Sequence, residues 1–280
     1  MSRLRLCVLV VLALIAFAGN SLLCRQALKA TSIDAATFTS VRLIAGALAL
    51  WIIVRLRDRK TATGSWRSAL TLFAYAAAFS FAYTTLPAGT GALLLFGAVQ
   101  ATMIGYGLYR GERMRRAQIF GLLLAFAGLI VLTLPGVSAP PLRGALLMMG
   151  AGSAWGIYSL RGKGAGDPLR ATAGNFIRCV PFALASSLAA WPWFSPDATG
   201  IAYAIASGAL TSGVGYAIWY TALPELKATH AATVQLSVPV IAAIGGVVWL
   251  HEALTLHLLL AAIAILGGIA LVVLDRSRLR

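Results

Sequence analysis

Ten predominantly apolar stretches, joined by short connections, run the length of this 280-residue chain. They cover 4–25, 34–55, 66–86, 89–109, 117–134, 143–161, 170–193, 199–221, 226–249 and 255–274. A helix of about 20 apolar residues crosses the hydrocarbon core of a bilayer, so each stretch is expected to span. The residues are 60% hydrophobic and 11% charged, with a mean hydropathy of +0.85. Soluble domains are nearer half apolar and a quarter charged. The expected fold is therefore all-α and integral to the membrane, with ten transmembrane helices and no inserted soluble domain.

The net charge of +15 raises the question of a nucleic-acid partner, but its placement points to the lipid bilayer instead. Lys and Arg cluster between the apolar runs, as in loops that obey the positive-inside rule. With ten spans, 18 basic residues fall on one side, including Arg3, Arg5, Arg55, Arg57, Arg110, Arg161, Arg276 and Arg280. Arg25, Lys29 and Arg143 fall on the other, and Arg42 and Arg178 lie within spans. Both termini are expected in the cytoplasm. The first stretch, with Arg3 and Arg5 ahead of it and Ala16-Phe17-Ala18 inside it, has features of a secretion signal. It is long enough to be retained as a helix. Cys7, Cys24 and Cys179 form no metal or redox spacing and read as small apolar residues.

The two halves resemble each other. Tyr83-Thr84 and Leu86-Pro87 recur as Tyr220-Thr221 and Leu223-Pro224. Gly19 matches Gly156, Arg42 matches Arg178, and Glu112 with Gly128 matches Glu252 with Gly268, at offsets of 136 to 140. The repeats divide as 1–137 and 138–280. Five helices is an odd number, so the second copy enters the membrane inverted. Inverted repeats are typical of transporters, with the substrate cavity at their interface near mid-membrane.

These residues carry a family resemblance: Phe38-x-x-x-Arg42, Leu86-Pro87 and Gly111-Glu112 with Gly121 and Gly128, then Ala154-Trp155-Gly156, Leu223-Pro224, Pro239 and His251-Glu252. Over its whole length the chain resembles the drug/metabolite transporter superfamily in its ten-helix EamA-like branch. It is most similar there to YddG-type exporters of aromatic and other neutral amino acids. The resemblance implies a bacterial inner-membrane exporter with a central cavity between the repeats. The chain departs from the pattern in having His251, rather than Gly, before Glu252, and no charge matching Arg25 in the second half.

All eight acids fall at span ends, so no carboxylate is placed to relay protons across the middle. Transport down the substrate gradient, or only weakly tied to protons, is expected. His230 is open to two readings, a group titrating near neutral pH or one snorkelling to the interface. Intramembrane charge is functional by default, but the matched positions of Arg42 and Arg178 favour a structural role, such as bonding helix-end carbonyls, over substrate contact. Pro181 and Pro239 lie inside predicted helices and are read as hinge or cavity-lining residues, Pro181 alternatively as a packing kink.

The expected substrate site is aromatic. Tyr75, Phe79 and Tyr83 share one face of the third helix. Tyr216 and Tyr220 are their repeat partners, with Trp219 adjoining and Trp155 entering from the sixth helix. For Tyr83 and Tyr220, near helix ends, an interfacial role is the competing reading. Ring faces attract an ammonium group and pack apolar side chains. Asn20, Gln100 and Ser237 would donate to a carboxylate. No nucleotide loop, metal cluster or catalytic set is found, so no enzyme, cofactor or metal is expected. The expected function is secondary export of neutral or aromatic amino acids by alternating access. The alternatives are another small metabolite or drug as substrate, or a non-transporting membrane protein.

Overall fold

The computed structural model describes residues 2–58, 62–111, 113–133, 140–162, 166–226, 231 and 234–277. Glu112 and His230 lie outside them. Ten helices are present among the described residues: α1 (Arg3–Ala30), α2 (Ala35–Asp58), α3 (Trp66–Tyr83), α4 (Ala88–Tyr109), α5 (Arg116–Thr133), α6 (Leu142–Gly162) and α7 (Pro168–Ala189), followed by α8, α9 (Ser237–Leu250) and α10 (Leu256–Ser277). Helix α8 is a continuous rod of three parts, α-helical Ala198–Ala206, π-helical Ser207–Val214 and α-helical Gly215–Ala222. Five helical segments, Arg3–Ala30, Ala35–Arg57, Ala88–Tyr109, Ala198–Glu225 and Leu256–Leu274, are by themselves long and apolar enough to cross a bilayer.

The ends follow local chemistry. Ser2, Ser65, Asp167 and Asp197 cap α1, α3, α7 and α8 through their side chains, each satisfying backbone N–H groups that have no partner within the helix. The seventh stretch, expected to run to 193, is α-helical only to Ala189 and then tightens into a 3₁₀ turn at Trp191–Trp193, with Pro192 inside it. Helix α9 begins at Ser237, so Pro239 sits in its first turn rather than its interior. There its missing N–H costs nothing.

Helices from the two halves interlock. Helix α2 packs on α7 and α5 on α10; α6 packs on α3 and α4 while α1 packs on α8 and α9. Exchanging α1–α5 for α6–α10 leaves this pattern of neighbours unchanged. The directions alternate. Arg25 at the end of α1 reaches the carbonyls of Tyr83 and Thr84 at the end of α3. Arg161 at the end of α6 reaches Ser68 at the start of α3. Helices α1 and α6 therefore run in opposite directions. The crossing of α5 and α10 depends on small residues: a Cβ on Gly268 would meet the Gly121 carbonyl oxygen, and one on Gly121 would lie 2.6 Å from the Gly268 oxygen.

One turn has left-handed backbone in both halves. Gly111 has φ +85 and its repeat counterpart His251 has φ 52. His251 caps α9, its backbone N–H donating to the Gly246 carbonyl. His251 thus stands opposite Gly111 of the first half, where a side chain costs about 1–2 kcal/mol of backbone strain.

Asp34 ties two connections together at the N-terminus of α2. Its Oδ1 accepts the backbone N–H of Ala36 at 3.0 Å and of Thr37 at 2.9 Å, and its Oδ2 accepts that of Ser195 at 3.0 Å. Burial by itself would raise the carboxyl pKa, but hydrogen bonds from the Thr37 side chain and these backbone donors outweigh it and hold the group below its ordinary value. A depressed folded-state pKa stabilises the fold above the unfolded value, near 3.9, and that contribution is lost as pH falls through the folded value. We expect Asp34→Ala to lower the melting temperature at pH 7 by about 2–4 °C, the effect of losing one helix cap of about 1 kcal/mol. The difference from wild type should shrink as pH is lowered below about 4. Thermal unfolding in detergent across that range checks it; a difference independent of pH would contradict the assignment.

Candidate functional site

A polar hub lies in the interior where α1, α2, α3 and α8 meet. Asn20 of α1 donates through Nδ2 to the Tyr75 hydroxyl at 3.3 Å, while its Oδ1 accepts from Ser207 Oγ at 2.8 Å and Thr211 Oγ1 at 3.5 Å. Both hydroxyls belong to the π-helical part of α8, the kind of widened turn often found at functional sites. Helix α8 approaches α2 closely there, because Gly208 faces the Arg42 carbonyl and Gly46. All five polar residues of the hub, Asn20, Arg42, Tyr75, Ser207 and Thr211, are buried.

Arg42 is the one charge in this hub, and it is only 1% exposed. Its guanidinium carbon lies 4.9 Å from the Phe79 ring centre and 5.5 Å from that of Tyr75. Its Nη2 donates to the Tyr75 hydroxyl at 3.4 Å. Arg178 is held differently: its Nη1 donates to the carbonyls of Thr63 at 2.8 Å and Gly174 at 2.9 Å. The matched arginines therefore have unlike surroundings. Arg178 bonds backbone carbonyls at the basic end of the bundle, whereas Arg42 lies against aromatic rings.

An aromatic layer adjoins the hub. Trp155 lies 4.9 Å from Tyr75 between ring centres and stacks on Tyr216 at 5.6 Å and on Tyr158 at 5.3 Å. Tyr75 and Phe79 are 5.4 Å apart, and Tyr83 meets Phe79 edge-on at 4.7 Å. Phe176 and Phe17 complete the layer against Tyr216. Below it, Thr172 donates to Tyr220, while Tyr158 donates to Thr172 and accepts from Asn175. Asn175 Oδ1 in turn accepts the Ser65 backbone N–H. This chain of bonds ties α6, α7 and α8 to the start of α3.

The structure thus gathers Asn20, Arg42, Tyr75, Phe79, Trp155 and Tyr216, and sets other expected site residues apart. Tyr83 is buried in the α3–α4 turn, its hydroxyl donating to the Ala88 carbonyl at 3.2 Å. Trp219 packs with Ala13 and Ala231 and meets Phe17, at the edge of the layer, edge-on at 5.8 Å. Gln100 faces a small cavity of about 20 Å³ between α4, α5 and α10. Ser237 donates to the Val234 carbonyl at 2.6 Å at the start of α9. Pro181 lines a second cavity, about 520 Å³, with Trp51, Arg55, Trp66 and Arg178. Pro239 is buried in the first turn of α9. Sequence reasoning missed Tyr158, Phe176, Ser207 and Thr211. Tyr158 stands three residues after Trp155, on the same helical face, and Ser207 and Thr211 are spaced one turn apart; both signals were present.

The opposite end from the basic loops is fastened by Glu252. Its Oε1 pairs with Arg25 Nε at 3.2 Å, and its Oε2 accepts the Ala88 backbone N–H at 2.8 Å. Lys29 donates to the Leu250 carbonyl at 3.2 Å. The charge that distinguished α1 from its repeat partner is therefore one half of a bond between the two halves.

Interlocked, oppositely running helices around a buried polar hub define a polytopic membrane protein of two-repeat build. Residues 4–134 and 142–274 each match the EamA-like transporter family, and the chain belongs to it. It is 57% identical over 274 residues to the uncharacterized protein PA1977 of Pseudomonas aeruginosa, covering 97% of this chain and 96% of that one. It is 35% identical over 154 residues to the threonine/homoserine exporter RhtA of Escherichia coli K12, covering 51% of this chain and 50% of that protein. The RhtA of Salmonella typhimurium LT2 is 30% identical over 199 residues, covering 68% and 64%. One solved crystal structure, 19% identical, superposes with a TM-score of 0.67 over 99% of this chain and 100% of its own, and shares the fold.

Proposed function

We propose that this protein exports neutral amino acids, aromatic and bulky apolar ones included, across the bacterial inner membrane by alternating access. The halves 1–137 and 138–280 rock against each other, and both termini lie in the cytoplasm. The observation that carries this reading is the stack of Tyr75, Trp155 and Tyr216 against the Asn20 hub, at the junction of the halves. Aromatic faces tolerate many apolar side chains, and a few buried polar groups orient the backbone atoms that all amino acids share. The 18-to-3 division of basic residues supports the orientation. A second reading, preference for small hydroxylated amino acids, is favoured by the similarity to threonine/homoserine exporters.

The test is purified protein in liposomes, assayed for uptake of labelled phenylalanine, tryptophan and threonine against empty liposomes. Uptake of the aromatic pair supports the first reading and uptake of threonine alone the second; equality with empty liposomes for all three refutes both. We expect Trp155→Ala to lower aromatic uptake about tenfold, equivalent to 1.4 kcal/mol, with membrane insertion unchanged. Wild-type uptake by that variant would mean that substrate does not pass this layer.

A further inference from the structure

The ring faces expected to receive a substrate ammonium already hold a cation. Arg42 lies over Phe79 and Tyr75, and the ion pairs among the described residues, Arg25–Glu252 and Arg57–Asp167, do not include it. Among the described residues its Nε and Nη1 meet no hydrogen-bond acceptor, although both are buried. A buried guanidinium with unfilled donors is costly in low dielectric unless an anion or other acceptor completes it. Attraction to the rings offsets part of that cost and leaves the N–H groups unfilled.

We propose that Arg42 is the receptor for the substrate's carboxylate, so that the site selects for a free carboxylate rather than for an ammonium group. This rests on the reading of the hub as the substrate site. The free nitrogens lie on different edges of the guanidinium, and each edge shares Nη2. A carboxylate can therefore bind two-pronged, through Nη1 and Nη2 or through Nε and Nη2, in exchange for the long 3.4 Å bond to Tyr75. Tyr75 adds a further donor. Its oxygen accepts from Asn20 and from Arg42, so its own proton points away from both. Asn20 is fixed by Ser207 and Thr211 and holds Tyr75 in place. One positive charge suits one negative charge, hence monocarboxylates and zwitterionic amino acids. The side chain of such a substrate extends toward Trp155 and Tyr216, while its ammonium, if present, stays on the carbon beside the carboxylate, next to ring faces already taken by Arg42, and is the weaker determinant.

The experiment is competition binding on the full-length protein in nanodiscs, with labelled phenylalanine and labelled 3-phenylpropionate as probes. Phenylalaninamide and phenethylamine, which keep the ammonium and lack the carboxylate, serve as competitors. On wild type both carboxylates should bind, and the two amines should compete at least about tenfold more weakly than phenylalanine, 1.4 kcal/mol or more. Arg42→Gln should lose carboxylate binding, and Arg42→Lys should recover part of it. Phenylalaninamide competing as well as phenylalanine would overturn the proposal without any variant. Binding of neither carboxylate, or undiminished binding of both by a folded Arg42→Gln protein, would also overturn it. Binding of 3-phenylpropionate through Arg42 without binding of phenylalanine would uphold the carboxylate receptor and refute export of aromatic amino acids.

Discussion

Replacing Glu252 by alanine is expected to open the end of the protein that carries Pro87, outward in the proposed orientation. Glu252 joins the α9–α10 connection to α1 through Arg25 and to α4 through the Ala88 backbone N–H. Its side chain and that of Arg25 are only 10% and 13% exposed. Deleting one partner of a buried pair costs about 3–5 kcal/mol, because the other charge stays desolvated. Partial exposure places this pair near the lower figure, and Arg25 keeps its bonds to the Tyr83 and Thr84 carbonyls. A loss of about 3 kcal/mol borne mainly by the closed state would raise the open population about a hundredfold. Cys24, next to Arg25 and fully buried, reports on this. In a Cys7→Ser, Cys179→Ser background, an impermeant thiol reagent added to intact cells should modify Cys24 at least about tenfold faster in Glu252→Ala than with Glu252 present. Equal rates would show that the pair does not hold this end shut.

Replacing Gly208 by valine should prevent the fold. A Cβ there would run into the Arg42 carbonyl oxygen and lie 2.9 Å from the Gly46 nitrogen. Both obstacles are backbone, so no side chain can turn aside; α2 and α8 must separate. Overpacking a core ordinarily costs about 1–3 kcal/mol, and separating two helices along a crossing costs more. It would also displace Arg42 and the π-helical turn carrying Ser207 and Thr211. Size-exclusion profiles should show little monodisperse Gly208→Val protein. Gly208→Ala, whose Cβ meets the same backbone atoms, should also be destabilised, and less than Gly208→Val because it lacks the two γ-methyl groups. Gly150→Val is the control, since a Cβ at Gly150 meets nothing within 4 Å. A Gly208→Val protein as stable as wild type would mean that α2 and α8 are not packed as described.

Part of the aromatic layer was legible in the sequence. Tyr75, Phe79, Trp155 and Tyr216 were expected together and are together. Gln100 and Ser237 were grouped with Asn20 because they were polar and near the middle of a stretch, yet each faces elsewhere. Trp219 lies on the α1 side of the same helix that sends Tyr216 inward. Position along a helix could be read; rotation about its axis could not. In water a polar stripe marks the solvent side. A membrane helix is apolar on its lipid side as well, so the pattern that would report rotation is weak.

The same limit applies to the arginines. Matched repeat positions implied matched roles, yet Arg178 meets carbonyls at the start of α3 while Arg42 meets the rings of Tyr75 and Phe79. The repeat preserves which helices meet but not which side chains line each crossing.

By itself the sequence determined the membrane class, the number of helices, their approximate ends and the two-repeat plan. Those properties depend on the solvation of each segment in lipid or water, which is local to the segment. Only the tertiary structure decided which faces turn inward, that Arg42 occupies the aromatic faces, that α8 widens into a π-helix beside it, and that Glu252 bridges to Arg25. Those outcomes depend on contacts between residues as much as 227 positions apart, and van der Waals packing and unfilled hydrogen bonds select among helix rotations that hydropathy leaves equivalent.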